Sequence, residues 1–137
     1  MDYYCISDFE TTVNILCKKP KDGYSKCRVD IKDFFYNKEF NELWNTPTKL
    51  NETVPIRIIK TRLPNSSLNV GKSSGYRIIY LIDSATKVLT LLHVFPKTGK
   101  YGIENISDKE LEKMLEKFLL EKSKNILIKL DMSDYAL

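Results

Sequence analysis

Three β-favouring segments follow one another with only a polar loop and a polar turn between them: "VPIRIIKTRL" at 54–63, "GYRIIYLID" at 75–83 and "KVLTLLHVF" at 87–95. Each is rich in β-branched and aromatic residues and is bounded by polar or glycine-containing stretches, the pattern that consecutive antiparallel strands leave in a sequence. A sheet of this kind needs at least one covered face, and the rest of the chain must supply the cover.

The flanking segments have helical periods. After a short strand at "DYYCI", Phe9, Val13, Leu16 and Cys17 fall on one helical face, and Ser7 and Glu10 have capping-box spacing, which predicts a helix from about 8 to 19. Pro20 and Gly23 end it. Ile31, Phe34 and Phe35, then Phe40, Leu43 and Trp44, mark a second helical stretch that breaks near Asn37 and would form an antiparallel hairpin with the first. The stretch "NTPTKLNET" at 45–53 reads as a connector. Past the strands, Ser107 and Glu110 repeat the capping-box spacing, and Leu111, Met114, Leu115, Phe118 and Leu119 form an apolar stripe, predicting a helix from about 108 to 122. "NILIKLDM" alternates Ile126, Ile128, Leu130 and Met132 with polar neighbours, as an extra edge strand or a docking tail would.

The expected fold is α+β: a small antiparallel sheet of about four strands, an N-terminal helical hairpin and a C-terminal helix. With 137 residues and 42% hydrophobic content, the chain can bury one core. A single domain is expected over 1–137, with its core at about 1–122 and a tail at 123–137.

Several function classes are excluded by residue usage. Cys5, Cys17 and Cys27 are odd in number, form no C-x-x-C pair and lie far in sequence from His93, the only histidine, so neither structural zinc nor a disulfide framework is expected, and no metal or cofactor. "MDYYCISDFE" is not a basic leader with an apolar run after it, and no apolar run reaches membrane-spanning length. A cytoplasmic protein without membrane contact is the expectation.

The net charge of +4 hides a polarised distribution. Residues 54–101 carry Arg57, Lys60, Arg62, Lys72, Arg77, Lys87, Lys97 and Lys100 against one acid, Asp83, a local charge of +7 that leaves −3 for the rest. A segment of this kind suits a face that meets a polyanion.

"GKSSGYRIIYLID" at 71–83 concentrates the question. A phosphate-cradling P-loop needs another glycine five residues before Gly71, where Ser66 stands, and must lead into a helix, whereas Gly75 leads into a strand. The stretch therefore reads as a polar hairpin loop. Lys60 and Arg62, two residues apart, project from one face of their strand, and Arg77 should approach them across the hairpin.

Taken together, "IIKTRL", "GKSSGYRIIYLID", "VLTLLHVFPK" and the capped helix at "NISDKELEKML" resemble the RelE/ParE toxin superfamily, most closely its RelE/HigB branch of ribosome-dependent mRNA interferases from type II toxin-antitoxin pairs. Lys60 with Arg62, Gly71 to Arg77, and Phe95 with Lys97 match the family's Lys-x-Arg pair, its Gly-Lys-x-x-Gly-Tyr-Arg turn, and its apolar strand ending in an aromatic and a lysine. The resemblance spans about residues 54–119. It implies a metal-independent endoribonuclease that acts on mRNA at the ribosome and is held in check by a cognate antitoxin. The family often has Tyr where Phe95 stands, and Tyr101 could replace that hydroxyl.

Metal-free RNA cleavage requires the 2′-hydroxyl to attack the adjacent phosphorus, with charge stabilisation and proton transfer supplied by side chains. The expected roles are a transition-state phosphate contact for Arg77, backbone phosphates for Lys60 and Arg62, and further RNA contacts for Lys72, Lys100 and Arg57. Crowding of like charge would let Lys60 or Lys72 act as base. Lys97 is the leading acid, with Tyr101 for stacking or proton transfer. His93 alternates with Leu91 and Phe95, which favours a structural role, yet lies four positions from Lys97 on the same face, which keeps a catalytic one open. Two rivals remain: a ParE-like DNA gyrase inhibitor of the same fold, and a non-catalytic RNA- or ribosome-binding module.

Overall fold

A computed structural model describes residues 1–68, 71, 74–98, 102–103 and 105–136. Its elements are β1 (Asp2–Cys5), α1 (Ser7–Cys17), a short 3-10 turn (Pro20–Asp22), α2 (Cys27–Phe35), α3 (Phe40–Trp44), β2 (Lys49–Thr53), β3 (Ile56–Leu63), β4 (Tyr76–Asp83), β5 (Val88–Pro96), α4 (Asp108–Ser123) and β6 (Ile128–Leu130). The class is α+β. The sheet, however, is six-stranded and mixed, in the order β2-β3-β4-β5-β1-β6, which corrects the expected antiparallel sheet of about four strands.

Two additions account for the difference. β1 pairs parallel with β5 and antiparallel with β6, so the N-terminal strand and the tail extend the sheet beyond the central meander. At the other end, β2 pairs with β3 inside the stretch read as a connector. β2 is an edge strand exposed over nearly all its residues, so it lacks the apolar alternation that announces a half-buried strand.

Helices α1 to α3 cover one face. Phe9, Val13 and Leu16 are buried along α1, and the Tyr80 hydroxyl, buried beneath α2 and α3, donates to the Leu43 carbonyl at 2.7 Å. The helical stretch breaks at 36–39 and restarts with a capping box between Glu39 and Glu42. The box expected at Ser107 and Glu110 is present at the start of α4. The one expected at Ser7 and Glu10 is absent, because a partner outside the helix displaces it. The buried Glu121 carboxylate of α4 accepts from the Ser7 N–H at 2.8 Å and from Ser7 Oγ at 2.7 Å, placing negative charge where the first turn of α1 presents free donors. Glu10 instead pairs with Arg28 and accepts from the Tyr135 hydroxyl at 3.0 Å.

That last contact ties down the tail. Met132 and Tyr135 belong to the same apolar cluster as Phe9, Ile31 and Leu91, so the core extends past residue 122. Cys5 and Cys27 are buried, Cys17 is half-buried and all three are free thiols. Among the described residues, no helix is long and apolar enough to cross a membrane.

Candidate functional site

The β3–β4 register sets the geometry. Arg62 lies directly opposite Arg77, and Lys60 opposite Ile79, so Lys60, Arg62 and Arg77 share one face of the sheet. Lys97 follows the end of β5, where its N–H donates to the Gly75 carbonyl at 2.7 Å. Lys60, Arg62, Arg77 and Lys97 line a single cleft of about 510 Å³, together with Phe34, Pro47, Thr48, Thr61 and Asn105.

The glycine loop positions this group through backbone proximity. A Cβ on Gly75 would collide with the Leu63 carbonyl oxygen and would lie 2.7 Å from the Asn65 nitrogen, so only glycine lets β4 begin this close to the end of β3. Asn65, itself buried, holds the loop down by donating to the Gly23 carbonyl at 2.9 Å, while the Asp30 carboxylate accepts from the Ser66 N–H at 3.0 Å. The stretch that reads as a hairpin loop thus leads into strand β4, and no helix follows it.

On the open side, β2 stops short. Just outside β2 the Lys60 N–H donates to the Thr48 carbonyl at 3.1 Å, and both residues line the cleft. Burial, then the charges of Lys97, Arg77 and Arg62, lowers the Lys60 ammonium from the ordinary lysine value. Arg77 is only 8% exposed, and burial followed by Arg62 lowers its pKa too, although a guanidinium stays charged. Its Nη1 donates to the Tyr76 carbonyl at 3.3 Å. Lys60 Nζ donates to Asn105 Oδ1 at 3.0 Å.

Other expected site residues lie elsewhere. Arg57 sits at an odd strand position, on the opposite face, where its guanidinium pairs with Glu52, stacks 4.0 Å over the Trp44 ring and donates to the Trp44 carbonyl at 3.0 Å. Those contacts hold β2 and α3 together. His93 lies opposite Ile79 and lines a separate depression with Asp8, Glu110 and Lys117. Burial lowers its pKa, partly offset by Glu110 and Asp8. Leu92 is an extra residue in the β4–β5 ladder, so Leu91 pairs with Tyr80 and faces the other way from His93 and Phe95; the simple alternation expected along this strand is broken by that bulge. Lys72, Lys100 and Tyr101 lie outside the described residues.

Phe34, Thr48 and Asn105 line the cleft without any signal in the sequence that marks them for it. They arrive from three distant segments, and no local pattern links any of them to Lys60. Among the described residues, no cluster of three or more His, Cys, Asp or Glu could hold a metal ion. No protein-family model, curated protein or solved structure matches the chain.

Proposed function

We propose that this chain is the toxin of a type II toxin-antitoxin pair, a metal-independent endoribonuclease that cleaves mRNA on the ribosome, and that its fold is a RelE/HigB-like arrangement enlarged at both sheet edges. The observation that carries the reading is the convergence of Lys60, Arg62, Arg77 and Lys97 on one cleft. Four cationic side chains facing one cleft match a ligand that carries negative charges at regular spacing, and a phosphodiester backbone is such a ligand. The fold reading rests on the central meander β3–β4–β5, preceded by helices and followed by α4.

In this mechanism the neutral amine of Lys60 removes the 2′-hydroxyl proton, a role suited to an ammonium with a lowered pKa. The 2′-oxygen then forms a bond to phosphorus while the bond to the leaving 5′-oxygen breaks. Lys97 donates the proton that the 5′-oxygen requires. Arg77 stabilises the charge on the non-bridging oxygens, for which a guanidinium can offer two parallel hydrogen bonds. Arg62 holds a flanking phosphate, and Lys72 and Lys100 are proposed from the sequence as further RNA contacts. A cognate antitoxin would block this face or its approach.

The test is translation-coupled cleavage of a reporter mRNA by wild type and Arg77→Ala, with analysis of fragment ends and a DNA supercoiling assay beside it. Ends bearing 2′,3′-cyclic phosphate, lost in Arg77→Ala, are the expected result. Cleavage at the wild-type rate by Arg77→Ala overturns the site. Inhibited supercoiling without cleavage identifies a gyrase inhibitor, and RNA binding without cleavage identifies a binding module.

A further inference from the structure

The catalytic reading leaves unexplained how a flexible lysine is kept in one orientation inside a cluster of like charge. We propose that Asn105 is a positioning residue for Lys60, a neutral acceptor that fixes the ammonium in the cleft without adding a negative charge there. Two contacts made by one atom support this. Asn105 Oδ1 accepts from Lys60 Nζ at 3.0 Å and from the Ile106 N–H at 2.9 Å, so the acceptor is itself pinned from behind. Ile106 packs against the core, and Ser107, the next residue, starts α4 through a reciprocal capping box. The start of a well-capped helix thereby determines where a side chain on β3 points.

The chemistry of the acceptor matters as much as its location. Lys60 is faced by Arg62 on its own strand, by Arg77 on β4 and by Lys97 after β5, and the described cleft lining contains no carboxylate. A carboxylate in place of Asn105 would make the same hydrogen bond but favour the charged lysine, typically moving such a group by about one unit or more. An amide orients the ammonium and brings no charge of its own to the site. Glu104, the neighbouring acid, lies outside the described residues.

The role assigned to Asn105 rests on the nuclease reading for its catalytic meaning, but the pairing itself can be tested separately. The Lys60 titration is followed by NMR on reductively 13C-methylated protein, assigned with Lys60→Arg, in wild type, Asn105→Ala and Asn105→Asp. In parallel, the pH–rate profile for mRNA cleavage and the KM are measured for the same proteins. Asn105→Asp is expected to raise the Lys60 midpoint by about one unit and to move the acidic limb of the rate profile by the same amount. Asn105→Ala is expected to lower kcat about tenfold with KM changed less than twofold, because an unoriented base is lost without loss of a phosphate contact. An unmoved Lys60 midpoint in Asn105→Asp overturns the inference. A moved midpoint in proteins that do not cleave RNA sustains the pairing and sinks the nuclease reading instead.

Discussion

Arg62 and Arg77 stand directly opposite each other on adjacent antiparallel strands, one exposed and the other 8% exposed. Like charges at directly opposed sheet positions destabilise the sheet, so the pair costs stability in the free protein. Functional groups are often retained at such a cost. Arg62→Gln should therefore stabilise the fold by about 0.5 kcal/mol, read from denaturant midpoints. The same change should weaken single-stranded RNA binding and reduce the slope of log affinity against log salt by about 0.7. A stabilised variant with an unchanged salt slope would remove Arg62 from the RNA-contacting set.

Gly75 is required by contact with neighbouring backbone, since the obstacle to a side chain is the Leu63–Asn65 main chain and not a movable side chain. Gly75→Ala should cost about 3 kcal/mol, seen as a lowered denaturant midpoint at unchanged slope. At Gly71 a Cβ would meet nothing within 4 Å, so Gly71→Ala should leave the midpoint nearly unaltered. Equal effects at the two glycines would contradict the close approach at the β4 entrance.

His93 titrates against burial. Its folded pKa is below the ordinary value of 6.5, so between the folded and unfolded values the unfolded chain binds the proton and the folded one does not. Stability is therefore lost as pH falls through 6.5, and the loss stops growing once pH is below the folded value. Thermal melts of wild type and His93→Gln between pH 5 and 8 should keep a constant offset above about pH 7.5 and lose it below 6.5, where wild type declines more steeply. Parallel curves would show that the imidazole is not held neutral by its surroundings.

The legible parts of the fold were those with a local signal. The stripe from Leu111 to Phe118 and the Ser107–Glu110 spacing identified α4 to within a residue, because helix period and cap chemistry are written within one turn. The same logic misassigned Ser7 and Glu10. Their spacing was right, but the buried Glu121 carboxylate, more than a hundred residues away in sequence, takes the first turn of α1, and Glu10 goes to Arg28 and Tyr135. The cationic cleft was legible in part, since strand alternation puts Lys60 and Arg62 on one face. Arg57, equally basic and on the same strand, lies on the opposite one and is engaged by Glu52 and Trp44.

Local pattern is enough to specify the central meander, the flanking helices, the polarised charge and the grouping of Lys60, Arg62 and Arg77, because period and hairpin connectivity are properties of neighbouring residues. The partners come from long-range packing: β1 parallel to β5, β2 as an edge strand, the bulge at Leu92, the docked Tyr135, and Asn105 on Lys60. A hydrophobic pattern states which face a residue presents and says nothing of what will cover it. That choice is made by contacts between distant segments once the chain has closed on itself.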